Sequence, residues 1–377
     1  MVNPGTRNPE LYYIYAINRP KASFTHYLKK LGTFILFLAF AGLTGQNGGQ
    51  RAFSFLDVPV TARAAALGGS GMSIWSNDIN LVNSNPALLN PSMTRQVALN
   101  HANYVSDIKL WYAGYGHDLG KFGTTAIGVQ AFDYGKFKGY DESGVYTADF
   151  RAADYAISLS YARPMADSMF NIGISLKTLV SQYETYSAVG NALDFGVTWR
   201  DKNNLVLSLL ARNVGIVWKS LTPGNQKQSL PNTVQFGVSK KVDKAPFRLF
   251  AVYDQLLKWN LRYISPLDTG NTTSSFGDNQ PRDSTGTQRF FKRFGTHAGN
   301  FMRHVTIGTE IILSNNFHLT VAYNYRRQRE MILPERRGMN GFSFGVNFRI
   351  KRFGFAYSFS KLAFPGNSSV FAVTFAW

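Results

Sequence analysis

The 377-residue chain contains no cysteine, which excludes disulfides and thiolate metal sites while leaving the redox compartment open. It is short of acidic residues, with 22 Asp and Glu against 40 Lys and Arg, so the formal net charge is +18. Such a balance ordinarily points to nucleic acid or to an anionic membrane surface. Beyond residue 45 no apolar run approaches the ~18 to 20 residues that a spanning helix requires. Catalytic signatures are equally scarce. The six histidines (His26, His101, His117, His297, His304 and His318) form no H-x-x-x-H or H-E-x-x-H pair, and no carboxylate cluster accompanies them. No glycine loop is suited to cradling phosphate. The match to G-x-S-x-G, Gly341 to Gly345, lies inside an alternating segment and not at a strand–turn–helix elbow. No enzyme activity, cofactor or metal is expected.

Aromatics and glycine are abundant instead, with 30 Phe, 19 Tyr and 34 Gly, which excludes a disordered or low-complexity chain. The N-terminal part points to export. In KKLGTFILFLAFAGLTGQ, Lys29 and Lys30 precede an apolar run from Leu31 to about Leu43, and small residues follow. These are the n- and h-regions of a secretory signal peptide, too short and wrongly flanked for an anchor. Residues 1–45 are therefore expected to be removed, after Ala41 or Gly45, which leaves a charge of about +14. The roughly 28 residues before Lys29 are long for an n-region, so the true start is expected downstream of Met1. Export removes nucleic acid as a partner.

From about residue 95 onward, fourteen segments alternate apolar with small or polar residues, and turn chemistry separates them. In GFSFGVNFRIK (341–351), Phe342, Phe344, Val346, Phe348 and Ile350 share one face, opposite Ser343, Gly345, Asn347, Arg349 and Lys351. A soluble sandwich and a membrane barrel both fit such a pattern. The connections discriminate. Those after even-numbered segments are tight, as in GKFG (120–123), DKNN (201–204) and SNN (314–316). Those after odd-numbered segments read as longer, at 135–149, 185–190, 217–231, 259–302, 328–340 and 363–368, with only the first, around Ser106-Asp107, short. A closed barrel with short periplasmic turns and longer external loops has this parity. The expected fold is all-β: a transmembrane, antiparallel, up-and-down barrel of about fourteen strands over residues 95–377. Its last strand ends on aromatics, and Phe371, Val373, Phe375 and Trp377 on one face read as the signal recognised by outer-membrane assembly machinery.

Residues 46–94 do not alternate. Thr61 suits a helix N-cap, Ala62 to Leu67 an Ala-rich turn, and Gly68-Gly69 a C-terminal stop, while Asn85-Pro86 and Asn90-Pro91 punctuate a second short element. The run ARAAALGGSGMS followed by NSNPALL resembles the N-terminal plug segment of the FadL-like outer-membrane barrels, a fourteen-stranded family. Ala64, Leu67, Gly68, Gly69, Asn85 and Pro86 carry that likeness. The blocks GNFMRHVTIGTE (299–310) and YNYRRQREMILPERRGMNGFSFG (323–345) look like the PorQ branch, an outer-membrane component of the Bacteroidota type IX secretion system.

The resemblance implies a scaffold in a cell-surface attachment complex, holding a PorZ-like surface protein beside the PorU sortase and PorV. Two external segments would make the contacts, to a partner or to lipopolysaccharide and outer-membrane lipid. One is the basic cluster Arg326, Arg327, Arg329, Arg336 and Arg337, because the guanidinium fork binds carboxylates and phosphates bidentately. The other is the end of the 259–302 loop, with Phe290, Phe291 and Phe294 among basic residues. A FadL-like transporter of hydrophobic small molecules is the alternative. Against it, the expected lumen-facing positions mix small residues with charges, as at Asn347, Arg349 and Lys351, which suggests a filled lumen.

Overall fold

The computed structural model describes residues 51–105, 108–165, 169–221, 228–261, 297–330, 339–361 and 366–377, so the expected signal peptide lies outside the described residues. Fourteen strands follow one another along the chain. The first seven are β1 (Gln96–Asn103), β2 (Lys109–Asp118), β3 (Thr124–Tyr140), β4 (Tyr146–Met165), β5 (Phe170–Tyr183), β6 (Tyr186–Arg200) and β7 (Leu205–Lys219). The second seven are β8 (Thr233–Lys241), β9 (Phe247–Tyr253), β10 (Val305–Ser314), β11 (Phe317–Asn324), β12 (Phe342–Ile350), β13 (Phe353–Lys361) and β14 (Asn367–Ala376). Each pairs antiparallel with its neighbours in sequence, and β1 pairs with β14 from Gln96↔Ala376 to Asn103↔Ser369. That pairing closes the sheet, so no strand edge is left with unpaired backbone groups.

The two faces are chemically opposite. In β5, Asn171, Gly173, Ser175 and Lys177 are buried inside, whereas Ile174 and Leu176 on the outside are nearly half exposed. In β12, Phe344, Val346, Phe348 and Ile350 face out; in β14, Phe371 does, and Val370, Ala372 and Thr374 are buried within. An apolar exterior around a polar interior is the inverse of a soluble protein and suits hydrocarbon. The fold is a closed transmembrane β-barrel. Among the described residues no helix is long and apolar enough to cross a membrane.

Tight turns gather on one rim, at 119–123, 201–204, 242–246, 315–316 and 351–352. There Trp377 stacks on Tyr115 and Phe375, and Phe375 packs on Phe353, with ring centroids 4.9–5.9 Å apart. This is an aromatic girdle of the kind that sits at headgroup level. Lys351, expected to face the lumen, is instead an exposed turn residue at φ 52.

The opposite rim differs from the sequence expectation. Strands β3 and β4 run on to Tyr140 and start again at Tyr146, so the expected 135–149 loop is a five-residue turn at the tip of a tall hairpin. The expected 185–190 loop is mostly strand, because β5 and β6 meet at Glu184-Thr185 alone. Lys, Gly and Asp break the alternation in these stretches and make them read as loop. In the β3–β4 hairpin, cross-strand ring pairs hold the sheet: Phe137 on Phe150 at 5.4 Å and Tyr140 on Tyr146 at 6.1 Å. The connections 220–232, 254–304 and 325–341 remain long.

Residues 51–94 occupy the lumen. A short helix, α1 (Ala62–Ala66), is capped by Thr61, whose side chain accepts from the Ala64 N–H at 3.2 Å. Gly68 and Gly69, at φ 74 and 95, end it by donating to the Ala65 and Ala64 carbonyls. Single 3-10 turns follow at Ile79–Asn83, Pro86–Leu88 and Pro91–Met93. Helix α1 packs on β11 to β14, and the Pro86–Leu88 turn packs on β4 to β6. Contacts with opposite walls place the segment across the bore.

Short turns face the periplasm in bacterial barrels, so single cysteines at Ser143 and Lys202 should differ on intact cells. An impermeant thiol reagent is expected to label position 143 and spare 202; the reverse pattern contradicts this orientation. Changing Phe375 and Trp377 to Asp places charge in the apolar girdle. Loss of the heat-modifiable band from the outer-membrane fraction is expected.

Candidate functional site

Inward-facing side chains determine what the bore can do, and several of them are engaged by the plug. Asn85 anchors its middle. Its amide nitrogen donates to the Met72 carbonyl at 2.8 Å and to Thr198 Oγ1 at 3.3 Å, and its oxygen accepts from the Ala87 N–H at 2.9 Å. Asn171 on β5 donates to the carbonyls of Ala87 and Leu89, both at 2.8 Å. The wall opposite this turn is glycine for a steric reason. A Cβ at Gly173 would land on the Pro86 and Ala87 backbone, and one at Gly196 on the Asn85 side-chain oxygen. Pro86 therefore sits in a seat cut for it.

Charge secures the other side. Arg63 of α1 is buried and bonds through Nη2 to Glu310 on β10; it also lies 3.9 Å from Asp78. Glu310 is fully buried and takes a second guanidinium, Arg248 of β9, at 2.6 Å, and His318 of β11 lies at 3.4 Å. Neither Arg63 nor Glu310 could be buried alone, because an unpaired charge in the interior costs several kcal/mol. Lys177 and Asp194 form a second buried pair at 2.6 Å, extended by Asn213 at 3.0 Å. The recesses beside the plug are small. One, lined by Arg63, Asp78, His318, Asn347 and Arg349, holds about 60 Å³; another, near Ser160, Ser175 and Lys177, holds about 10 Å³, room for roughly one water.

The residues expected to bind a partner fall in three places. Helix α2 (Tyr325–Glu330) follows β11 and carries three of the arginines. Arg326 is held internally, 3.3 Å from Asp254 and 3.8 Å from Glu330. Arg327 turns inward: its N–H donates to Asn324, its guanidinium reaches Ser343 at 3.5 Å, and it lies against Gly69 of the plug. Burial pushes its pKa below the usual guanidinium range. Arg329 alone of the three is exposed, lying over the Tyr325 ring at 5.3 Å. Arg336, Arg337, Phe290, Phe291 and Phe294 lie outside the described residues. Of the plug motif, Ala64, Leu67, Asn85 and Pro86 are buried, and Gly68 and Gly69 lie under β11 and α2. On the outer rim, Trp218 and Trp259 are more than half exposed. Sequence reasoning missed Arg63, Glu310, Lys177 and Asp194. Their signal was a charge at an inward position of an alternating strand, as Glu310 is in VTIGTEIIL.

No family model and no curated protein sequence matches the chain. Several solved structures are similar. The Ralstonia pickettii toluene transporter TbuX has 13% identity, covers 86% of this chain and 100% of its own, and superposes with a TM-score of 0.48. A Pseudomonas aeruginosa FadL homologue has 11% identity, coverage of 84% and 98%, and a TM-score of 0.43. The CymD monoaromatic hydrocarbon channel has 12% identity, coverage of 86% and 99%, and a TM-score of 0.47. At such values the likeness carries no argument about cargo.

Gly196→Val should displace the Asn85 turn, at about 1 to 3 kcal/mol for overpacking. Glu310→Ala should take away the closer of Arg63's two acidic partners and leave Arg248 facing it, at about 3 to 5 kcal/mol. Both are expected to expose Arg63 to trypsin in the purified barrel. Wild-type resistance to cleavage there, retained in both variants, contradicts this packing.

Proposed function

We propose that the protein is a non-enzymatic, plugged outer-membrane barrel that works through its outer rim and not through its bore. One observation supports this reading above the rest: residues 51–94 cross the bore from β11–β14 to β4–β6, held by Arg63–Glu310 and by the Asn85 seat. A route for a small molecule needs an apolar pocket of several hundred Å³. The two recesses described beside the plug, at about 60 and 10 Å³, fall far below that. The outer rim offers what a protein partner uses: exposed Trp218 and Trp259, exposed Arg329 on α2, and the tall β3–β4 hairpin. The partner itself rests on the sequence resemblance to PorQ alone. That resemblance names a PorZ-like surface protein, with PorU and PorV, in a type IX secretion attachment complex, and lipopolysaccharide beside it.

A second reading is transport of hydrophobic small molecules, as in FadL-like barrels. Of the similar solved structures, TbuX is described as a toluene transporter and CymD as a monoaromatic hydrocarbon channel. An open aromatic recess in the β3–β5 region also sides with it.

Photo-crosslinking residues placed at Trp218 and at Arg329 on intact cells separate the two. The scaffold reading expects a discrete protein adduct at either position and unchanged hydrocarbon uptake on deletion of the protein. Absence of any protein adduct, together with lost uptake of a monoaromatic hydrocarbon, establishes the second reading instead.

A further inference from the structure

The open recess on the inner face of the tall hairpin carries a charge feature that goes beyond either reading. It measures about 330 Å³, at the lower end of the range for small-molecule sites, and is lined by Tyr134, Phe137, Phe150, Ala152 and Tyr183. Two ring pairs build its walls. Phe137 and Phe150 stack at 5.4 Å with 20° between planes, and Tyr134 meets Tyr183 edge-on at 5.8 Å and 82°.

Behind the two tyrosines lies a carboxylate. Asp154 on β4 is 1% exposed and accepts from the Tyr134 hydroxyl at 2.6 Å and the Tyr183 hydroxyl at 3.0 Å, both on Oδ2. Ser181 stands beside it. Among the described residues no Lys, Arg or His forms an ion pair with it, unlike the buried acids Asp194 and Glu310. The hairpin is rich in cations, but they take the other face. Lys136 pairs across from Arg151, one register step from the inward pair Phe137 and Phe150, and both basic residues are exposed. The recess therefore combines the negative faces of aromatic rings with a buried carboxyl group that no described cation pairs and that accepts from two of the ring hydroxyls. An apolar cation satisfies both features at once; a neutral hydrocarbon uses only the rings.

We propose that this recess is a binding site for a small organic cation with an apolar body, of the quaternary or alkylated ammonium class. The cation rests on the ring faces, and Asp154 supplies the compensating charge from behind Tyr134 and Tyr183. The site does not depend on the role assigned to the rim.

Phenyltrimethylammonium and its neutral isostere tert-butylbenzene test it, by isothermal titration calorimetry on the purified full-length barrel in detergent with detergent-only titrations subtracted. The cation is expected to bind at least about tenfold more tightly than the isostere, in line with a desolvated cation–π contact. Asp154→Asn, which keeps the size of the side chain and one oxygen to accept from both hydroxyls, should erase that preference. Phe150→Leu, away from the buried polar groups, should weaken the cation more than the isostere. Equal or tighter binding of the isostere, no binding of either, or a preference untouched by Asp154→Asn overturns the assignment.

Discussion

Everything in this protein follows from one constraint: inside hydrocarbon, every backbone N–H and C=O of the wall must find a partner in the wall. The pairing of β1 with β14 meets it, and Trp377 extends the seam by donating its N–H to the Arg95 carbonyl at 3.2 Å. Closure then dictates the rest. Alternate residues of each strand face lipid and must be apolar; the others face an enclosed space and need not be. Strands joined in sequence order bring both ends of the wall to the same rim.

The enclosed space is what sets this barrel apart from an open pore. Fourteen strands enclose a wide bore, since diameter grows with strand number. Here the bore is occupied by a segment with little regular structure of its own. A five-residue helix and a few 3-10 turns could not hold together outside the wall. They are ordered by what the wall supplies: glycine seats at Gly173 and Gly196, amide donors at Asn171, and an acid at Glu310 for the buried Arg63. Two of the acids carried inward, Glu310 and Asp194, are paired with cations from the plug and the wall. At the outer rim, α2 lays Arg327 against Gly69 of the plug and presents Arg329 to solvent.

The wall was legible in the sequence because its rules are local. Period-two alternation, tight turns after even strands and an aromatic last strand each lie within about a dozen residues. Thr61 as cap and Gly68-Gly69 as stop were legible for the same reason. The tall hairpin was not, since Phe137 and Phe150 reveal themselves as partners only once the strands are paired. The orientation of the arginines on α2 was not legible for a similar reason. Composition cannot show that α2 turns Arg327 inward onto Gly69 while Arg329 points out, because that depends on where the helix docks. Arg63 and Glu310 are 247 residues apart, and nothing in either neighbourhood announces the other.

The central claim is that residues 51–94 close the bore, and single-channel recording in a planar bilayer tests it most directly. The account predicts that the intact barrel is electrically silent and that deleting 51–94, with all fourteen strands kept, opens a large, steady conductance. Steady conductance from the intact protein, or continued silence from a correctly inserted barrel that lacks the segment, would contradict it.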